Sequence, residues 1–542
     1  MLRMTRGQSV ILNFVKRRLL ALFVFSLAAL PLVAEQQVVL SPVYPIAKKY
    51  RSMEGPSAVQ TVYLGDRTKP ELVWLTAIRT EVVGADGKTP MPSELMCHMN
   101  VDIDPTRHKA LFNLTRFPAQ RLMTISQGMR VASGAFESRV PDGFAFPMAS
   151  NEPLYVFTQV LNLNIEHPKN LKVRHRVTFE FVRDRDLKQR PVALFNLGIS
   201  GMVQMAGNPL ALTSMSSVAA GLPPASASSE GAAATHGASC LIGQRAPNAG
   251  GMSADYVDPN GRHFTGHWVV PPGKQVNASD VTWFMNLPYD IKLHYVAVHL
   301  HPFAQSLTLR DTTTGTDVFK ATATNPKHRI GLEHVDDMVS LPGVELYKAH
   351  KYELVSVYDN PTKHNVDSMA SMYFGAEDPE FVAPTPEQLA ERGVTIVEGS
   401  ALVLRTSVGD VGAMLLNTPT SLQVAKAIVT GAFRDAEAQV SDSGIAFVAK
   451  NVFPPTGEAE HDHAPGAISL CRGQGESSIV VETRKTQEFD GRCTVFAHVG
   501  PGSAVLRAIA SAGSATLLRA EVLSGPDLND LRLAPAKTIA SK

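Results

Sequence analysis

Residues 294–305 read HYVAVHLHPFAQ. The run Tyr295 to Leu300 is short, apolar, partly β-branched and closed by His-Pro, which is the profile of a buried strand. Side chains at i and i+2 of a strand share a face, so His299 and His301 project to one side while Leu300 packs on the other. Two imidazoles on one side suit zinc, copper, iron or nickel. A bare His-x-His also arises by chance, so its meaning depends on what the rest of the chain places beside it.

Working outward, the same kind of run recurs. Before the pair come Glu71-Leu-Val-Trp-Leu-Thr76, Tyr155 to Leu161 and Val177 to Val182, and after it come Ser306 to Arg310 and Tyr352 to Tyr358. Pro, Gly, Asn and Asp turns separate them and helical periodicity is scarce, so the expected fold is mainly β. Two β-sandwich domains are expected, at 35–217 and 252–380. The Ala/Ser/Gly-rich segment 218–251 between them is too small-sided to bury a core and reads as a linker. A connector at 381–398 contains PTPEQLAER, the signature of a short capped helix. A third domain follows at 399–525, with strands and one helix over Ser421 to Thr430, and 526–542 is a tail.

The 542 residues are 44% hydrophobic, enough for several cores, and Lys plus Arg at 51 balance Asp plus Glu at 50. No global field favours nucleic acid or an anionic membrane, so no nucleic-acid partner is expected. Lys16-Arg17-Arg18, the apolar run Leu19 to Val33 and Ala34-Glu35 form a secretory-signal pattern over 1–34, implying export to a periplasm or the exterior. Left uncleaved, that run is an N-terminal anchor; no later segment is apolar enough to span. Four cysteines, Cys97, Cys240, Cys471 and Cys493, are too few for a disulfide scaffold, although Cys471 and Cys493 lie close enough in sequence to pair.

The text around the histidines carries a resemblance. Val269-Val-Pro-Pro-Gly-Lys-Gln-Val, Leu287 to His301 and Tyr358 to Tyr373 (YDNPTKHNVDSMASMY) resemble the C-terminal half of the type II, ascorbate-dependent copper monooxygenases, the family of peptidylglycine α-hydroxylating monooxygenase. The resemblance implies jelly-roll-like sandwiches, copper held by His299, His301 and Met369 (from Asp367-Ser-Met), ascorbate as reductant, and Tyr373 as a catalytic-pocket tyrosine. The donor chemistry agrees: a thioether is a soft ligand that favours Cu(I). Met372 is the competing sulfur, but a regular strand turns it the other way.

The family's second copper fares differently. Glu94-Leu-Met-Cys-His-Met99 stands where the family has a His-His pair, so Cys97 replaces one ligand and His98 keeps the other. Leu161 occupies the place of the third ligand and cannot ligate. Cys97 and His98 are sequential and point apart on a strand unless a bulge intervenes; His108 is a further imidazole with no spacing that recommends it. Ala297 stands where the peptidylglycine enzyme has its substrate-binding arginine.

Val403 to Asp410, Val424 to Phe433, Ala464 to Leu470 and Phe489 to Phe496 resemble cyclophilin-type peptidyl-prolyl isomerases. That resemblance implies a closed eight-stranded barrel with flanking helices. Its catalytic arginine is replaced by Asp442 within Val440 to Phe447, and the Gln-Phe-Phe strand by Ser478-Ile-Val-Val481. His461-Asp-His463 repeats the His-x-His spacing in an acidic loop and reads as solvated.

The expected function is therefore an exported copper-binding oxidoreductase acting on a small molecule or peptide, with one retained copper site. Non-catalytic copper storage is one alternative. Peptide binding or prolyl isomerisation by the last domain is the other.

Overall fold

The computed structural model describes residues 34–50, 55–114, 127–204, 256–257, 263–266, 268–394, 399–449, 453–454, 456, 462–473, 476–485, 489, 491–500, 503–523 and 532–536. The signal pattern up to residue 33, the 218–251 linker, Cys240 and His461 lie outside them.

The described chain is mainly β. Its largest element is a ten-stranded sheet whose main path runs Glu35–Leu40, Leu171–Arg183, Leu72–Gly84, Phe144–Ala149, Val192–Ser200, Ala370–Glu377, Ile291–Leu300 and Met338–Leu346. Val192–Ser200 pairs in parallel with Phe144–Ala149 on one side and antiparallel with Ala370–Glu377 on the other. One sheet therefore runs from the first segment of the sequence into the second.

A four-stranded sheet, Ser57–Val62, Leu154–Val160, Met96–Ile103 and Gln127–Ala132, contributes Met99, Val101 and Val156 to a first core. The ten-stranded sheet contributes Trp74, Phe146, Phe179 and Phe181 to the same core. Such large side chains each bring about 1.5–3 kcal/mol of transfer free energy when fully buried.

A five-stranded sheet built on Gly273–Asp280, Tyr352–Asn360 and Ala304–Asp311 gives Leu307, Leu309, Leu354 and Tyr358 to a second core. Val298, Leu300, Met372 and Phe374 meet them there, joined by Leu197 and Ile199 from the strand that precedes the linker segment. Tyr352–Asn360 is most buried at every second residue, the period-2 pattern expected of its sequence.

Specific bonds tie the two units together. The Asn164 amide donates to Ile330 O at 2.9 Å and accepts from Ile330 N at 2.8 Å, while Arg329 pairs with Glu94 at 2.9 Å. Val335 N donates to Gly134 O at 3.0 Å. Gly134 has φ 86°, and a Cβ there would lie 2.9 Å from Val335 Cγ2, so both backbone conformation and close approach require glycine. Between the cores, Ser138 Oγ and Tyr295 OH are 2.5 Å apart.

The last unit is a closed barrel of eight strands, in the order Ala401–Thr406, Asp410–Leu415, Cys493–Val499, Ala467–Arg472, Ser477–Glu482, Gly444–Ala449, Ala436–Val440 and Thr516–Leu523. Closure leaves no free sheet edge. Leu402, Leu404, Phe447, Ile468, Ile479 and Phe496 belong to its core. Helix Pro419–Val429, capped by Thr418, realises the helix expected over Ser421 to Thr430, and Ser503–Ala512 is a second. Cys471 and Cys493 face each other on paired strands and form a disulfide. The expected connector helix is Pro386–Arg392, with Thr385 and Gln388 closing a capping box. Among the described residues no helix is long and apolar enough to cross a membrane.

Candidate metal centre

His299 is the last residue but one of strand Ile291–Leu300, and His301 directly follows the strand. Leu300 pairs with Ala370 and Val298 with Met372, and all four belong to the second core. His299 pairs with Ser371 and Ala297 with Tyr373, so these side chains occupy the opposite face. Continuing the register one step beyond Leu300 and Ala370 sets Met369 beside His301. Met372 belongs to the second core, while Met369 is buried in the break between Val366–Ser368 and Ala370–Glu377 and is not part of that core. All three expected ligands are buried, and the rings of His299 and His301 are 5.3 Å apart.

Two residues not singled out in the sequence reading hold this arrangement. Tyr358 OH donates to Met369 O at 2.5 Å and accepts from His301 N at 3.2 Å, fastening the two ligand-bearing backbones together. Its hydroxyl is fully buried, which pushes its pKa well above the ordinary phenol value. Asp367 Oδ2 lies 3.2 Å from His301 Nδ1. A carboxylate behind one ring nitrogen is the usual support for a histidine that offers its other nitrogen to a metal. The Asp367-Ser-Met369 spelling was the available signal for this.

The Cys97–His98 step departs from a regular strand. The register of Met96–Ile103 against Leu154–Val160 shifts between Met96 and His98, a bulge that brings Cys97 Sγ within 3.3 Å of His98 Nδ1. His98 stacks on Phe157 at 5.3 Å and meets His299 across the units, ring to ring, at 6.0 Å. Leu161 is buried, and its backbone N–H donates to Leu95 O at 2.9 Å. His108 belongs elsewhere: its Nδ1 is 2.7 Å from the buried carboxylate of Glu152, beside Phe112 and Phe381.

His98, Asn100, Arg130, Ala297, His299 and Tyr373, all buried, line a narrow gap of about 10 Å³ between the units, room for about one water. The Arg130 guanidinium sits 5.1 Å above the Tyr373 ring and bonds Asp102 at 2.7 Å. The expected site residues His98, His299 and Tyr373 therefore line one gap, together with Arg130 from the first unit.

Among the described residues, no three His, Cys, Asp or Glu side chains converge as metal ligands. The donor set that sequence and register pick out is of another kind, two imidazoles and a thioether. All three donors are neutral, which suits Cu(I) and leaves Zn(II) without the anionic or harder ligands it prefers.

In the barrel, Gly444–Ala449 and Ser477–Glu482 lie side by side, with Ile445 paired to Val481 and Phe447 to Ile479. Arg484 Nε donates to Asp442 O at 3.1 Å, so a guanidinium does approach the turn where the sequence shows an acid. The expectation of a solvated His463 is corrected. It is buried, with Nδ1 2.7 Å from Glu482 Oε1, and Ser469 Oγ donates to the same oxygen at 2.5 Å. A buried carboxylate needs donors, and the loop histidine supplies one.

The chain matches no protein-family model and no curated protein.

Proposed function

We propose that this protein binds copper at His299, His301 and Met369 and acts as an exported, ascorbate-dependent oxidoreductase of monooxygenase type. The carrying observation is the pairing of His301 with Asp367 beside Tyr358, which bonds the backbones of both His301 and Met369. Bound copper would supply one-electron redox chemistry and a site for O2. The protein's own residues do the rest. Asp367 would orient His301, Tyr358 fixes the spacing of the histidine and methionine backbones, and Tyr373 with Arg130 bounds the narrow gap beside His299. Two face-to-face sheet pairs around separate cores support the jelly-roll-like sandwich reading, and the Cys471–Cys493 disulfide supports export. The test is O2 uptake with ascorbate, expected in the copper-loaded protein and lost in His299→Ala or Met369→Ala. Copper bound without any uptake would favour storage.

A second reading assigns the barrel to cyclophilin-like peptide binding. The closed eight-stranded barrel with its helices favours that fold. Isomerase activity is the weaker part of this reading, since the former aromatic strand ends in the buried Glu482–His463–Ser469 cluster. A proline-peptide isomerisation assay on the full chain tests it, with a rate at the uncatalysed level expected.

A further inference from the structure

We propose that the slot beside Asp410, at the end of the first barrel hairpin, is a docking site for an extended peptide of Ala-Pro-Ala type, and that the chain's own segment 532–536 occupies it in cis. This goes beyond the copper reading and uses none of its residues.

Strands Ala401–Thr406 and Asp410–Leu415 form a hairpin with a firmly bonded turn. Thr406 N donates to Gly409 O at 2.9 Å, Thr406 Oγ1 donates to the same oxygen at 2.7 Å, and Ser407 N donates to Thr516 O at 2.9 Å. On its other side, Asp410–Leu415 pairs with Cys493–Val499 only from Ala413 onward, and the ladder extends by one bond, from Gly500 N to Gly412 O at 2.9 Å. The backbone N–H of Asp410 lies beyond that strand's reach, and segment 532–536 takes it.

Asp410 N donates to Ala534 O at 3.0 Å, and Ala534 N donates to Asp410 Oδ2 at 2.8 Å. One residue of the slot therefore satisfies both backbone groups of one residue of the segment, much as a sheet edge receives an added strand. The Asp410 carboxylate is buried and fixed by Arg405, whose Nη1 donates to the same Oδ2 at 2.6 Å and whose Nη2 donates to Glu521 at 2.8 Å. Arg405 Nη1 also donates to Arg532 O at 3.3 Å. These groups are held by the barrel itself, so the slot is pre-organised and a ligand spends little binding energy on ordering it.

So close a backbone approach requires a bare floor. A Cβ on Gly409 would lie 2.9 Å from Pro535 O and 3.2 Å from Ala536 Cα. Ala534 makes both bonds to Asp410, and Pro535 forfeits none of them by lacking an N–H. Ala536 is half-buried against the barrel core, while Arg532, Ala534 and Pro535 are exposed. The segment thus touches the barrel through backbone groups and a small side chain, a contact that another extended chain with a small residue at the same place can make. Around the barrel, the slot lies on the far side from Gly444–Ala449 and Ser477–Glu482, so it is separate from the peptide site that the cyclophilin resemblance implies.

The test is a fluorescence-anisotropy titration of the labelled peptide Arg-Leu-Ala-Pro-Ala-Lys, which copies residues 532–537, on the full chain and on its Ala534→Pro variant, which deletes the donor that Asp410 accepts. A tethered segment competes at an effective concentration on the order of millimolar, so the variant should bind the peptide at least about 10-fold more tightly than the parent. The same peptide N-methylated at its first alanine offers Asp410 no N–H and should bind the variant at least about 10-fold more weakly. A chain ending at Leu531 should behave as the variant does. Equal binding by parent and variant, no binding by either, or undiminished binding of the N-methylated peptide would overturn the docking site. Loss of the barrel's melting transition in both altered chains would make 532–536 part of the fold and overturn it too. The copper site shares no residue with the slot, so the two readings stand or fall separately.

Discussion

Asp367 Oδ2 lies 3.2 Å from His301 Nδ1, on the strand that leads directly into Met369. One short segment thus carries both Met369 and a carboxylate beside the neighbouring imidazole. Such supporting groups tune affinity without touching the metal. Asp367→Asn is expected to lower Cu(I) affinity about 10–100-fold while leaving the thermal unfolding of the metal-free protein nearly unchanged. Equal affinities in a chelator competition would show that Asp367 has no such role.

His175 makes the first unit acid-sensitive. It is fully buried, neither ring nitrogen has a hydrogen-bond partner, and desolvation holds its pKa down at about 3. The unfolded chain takes up this proton below about pH 6.5, whereas the folded chain resists until about pH 3. Its contribution is therefore fully present above pH 6.5 and is lost as pH falls, reaching about 5 kcal/mol by pH 3. Urea unfolding of His175→Leu between pH 7 and pH 4 should show a shallower loss of stability than the parent. Parallel curves would count against the assignment.

The inter-unit clamp should be separable from the cores. Asn164→Ala removes both bonds to Ile330 and should cost about 1–2 kcal/mol of local stability. Faster amide exchange over 329–335, with unchanged exchange in Leu171–Arg183, is the expected signature. Global unfolding at the same cost would mean that the units do not separate.

In the barrel, the Cys471–Cys493 bridge closes a loop with a sequence separation of 22. Chain-entropy reasoning gives it about 3 kcal/mol. Mild reductant should lower the barrel's melting transition by several degrees and leave the other units' transition in place; an unmoved barrel transition would remove the bridge from the stability account.

Much of the candidate centre was legible in the sequence because strand periodicity is local. The i, i+2 rule put Val298 and Leu300 together in the second core, as the alternation around His299 requires, without any tertiary information. The capped helix at Thr385 and the helix after Thr418 were equally local. What the sequence did not show depends on packing. The bulge at Cys97 is a register shift against Leu154–Val160, and nothing in Met-Cys-His announces it. The approach of His98 to His299 depends on how two units dock, which no run of residues encodes by itself. His463 looked solvated because its loop is acidic, but burial was decided by a partner on the neighbouring strand, Glu482. Strand Val192–Ser200 precedes the linker in sequence, yet its side chains Leu197 and Ile199 belong to the second core.

The central claim is a copper centre built on His299, His301 and Met369. The most direct test is the copper content of the full chain after anaerobic Cu(I) loading and desalting, compared with a variant carrying His299→Ala and His301→Ala. One tightly held copper per chain in the parent and none in the variant is the predicted result. No copper in the parent, or the same copper in both, would contradict the account.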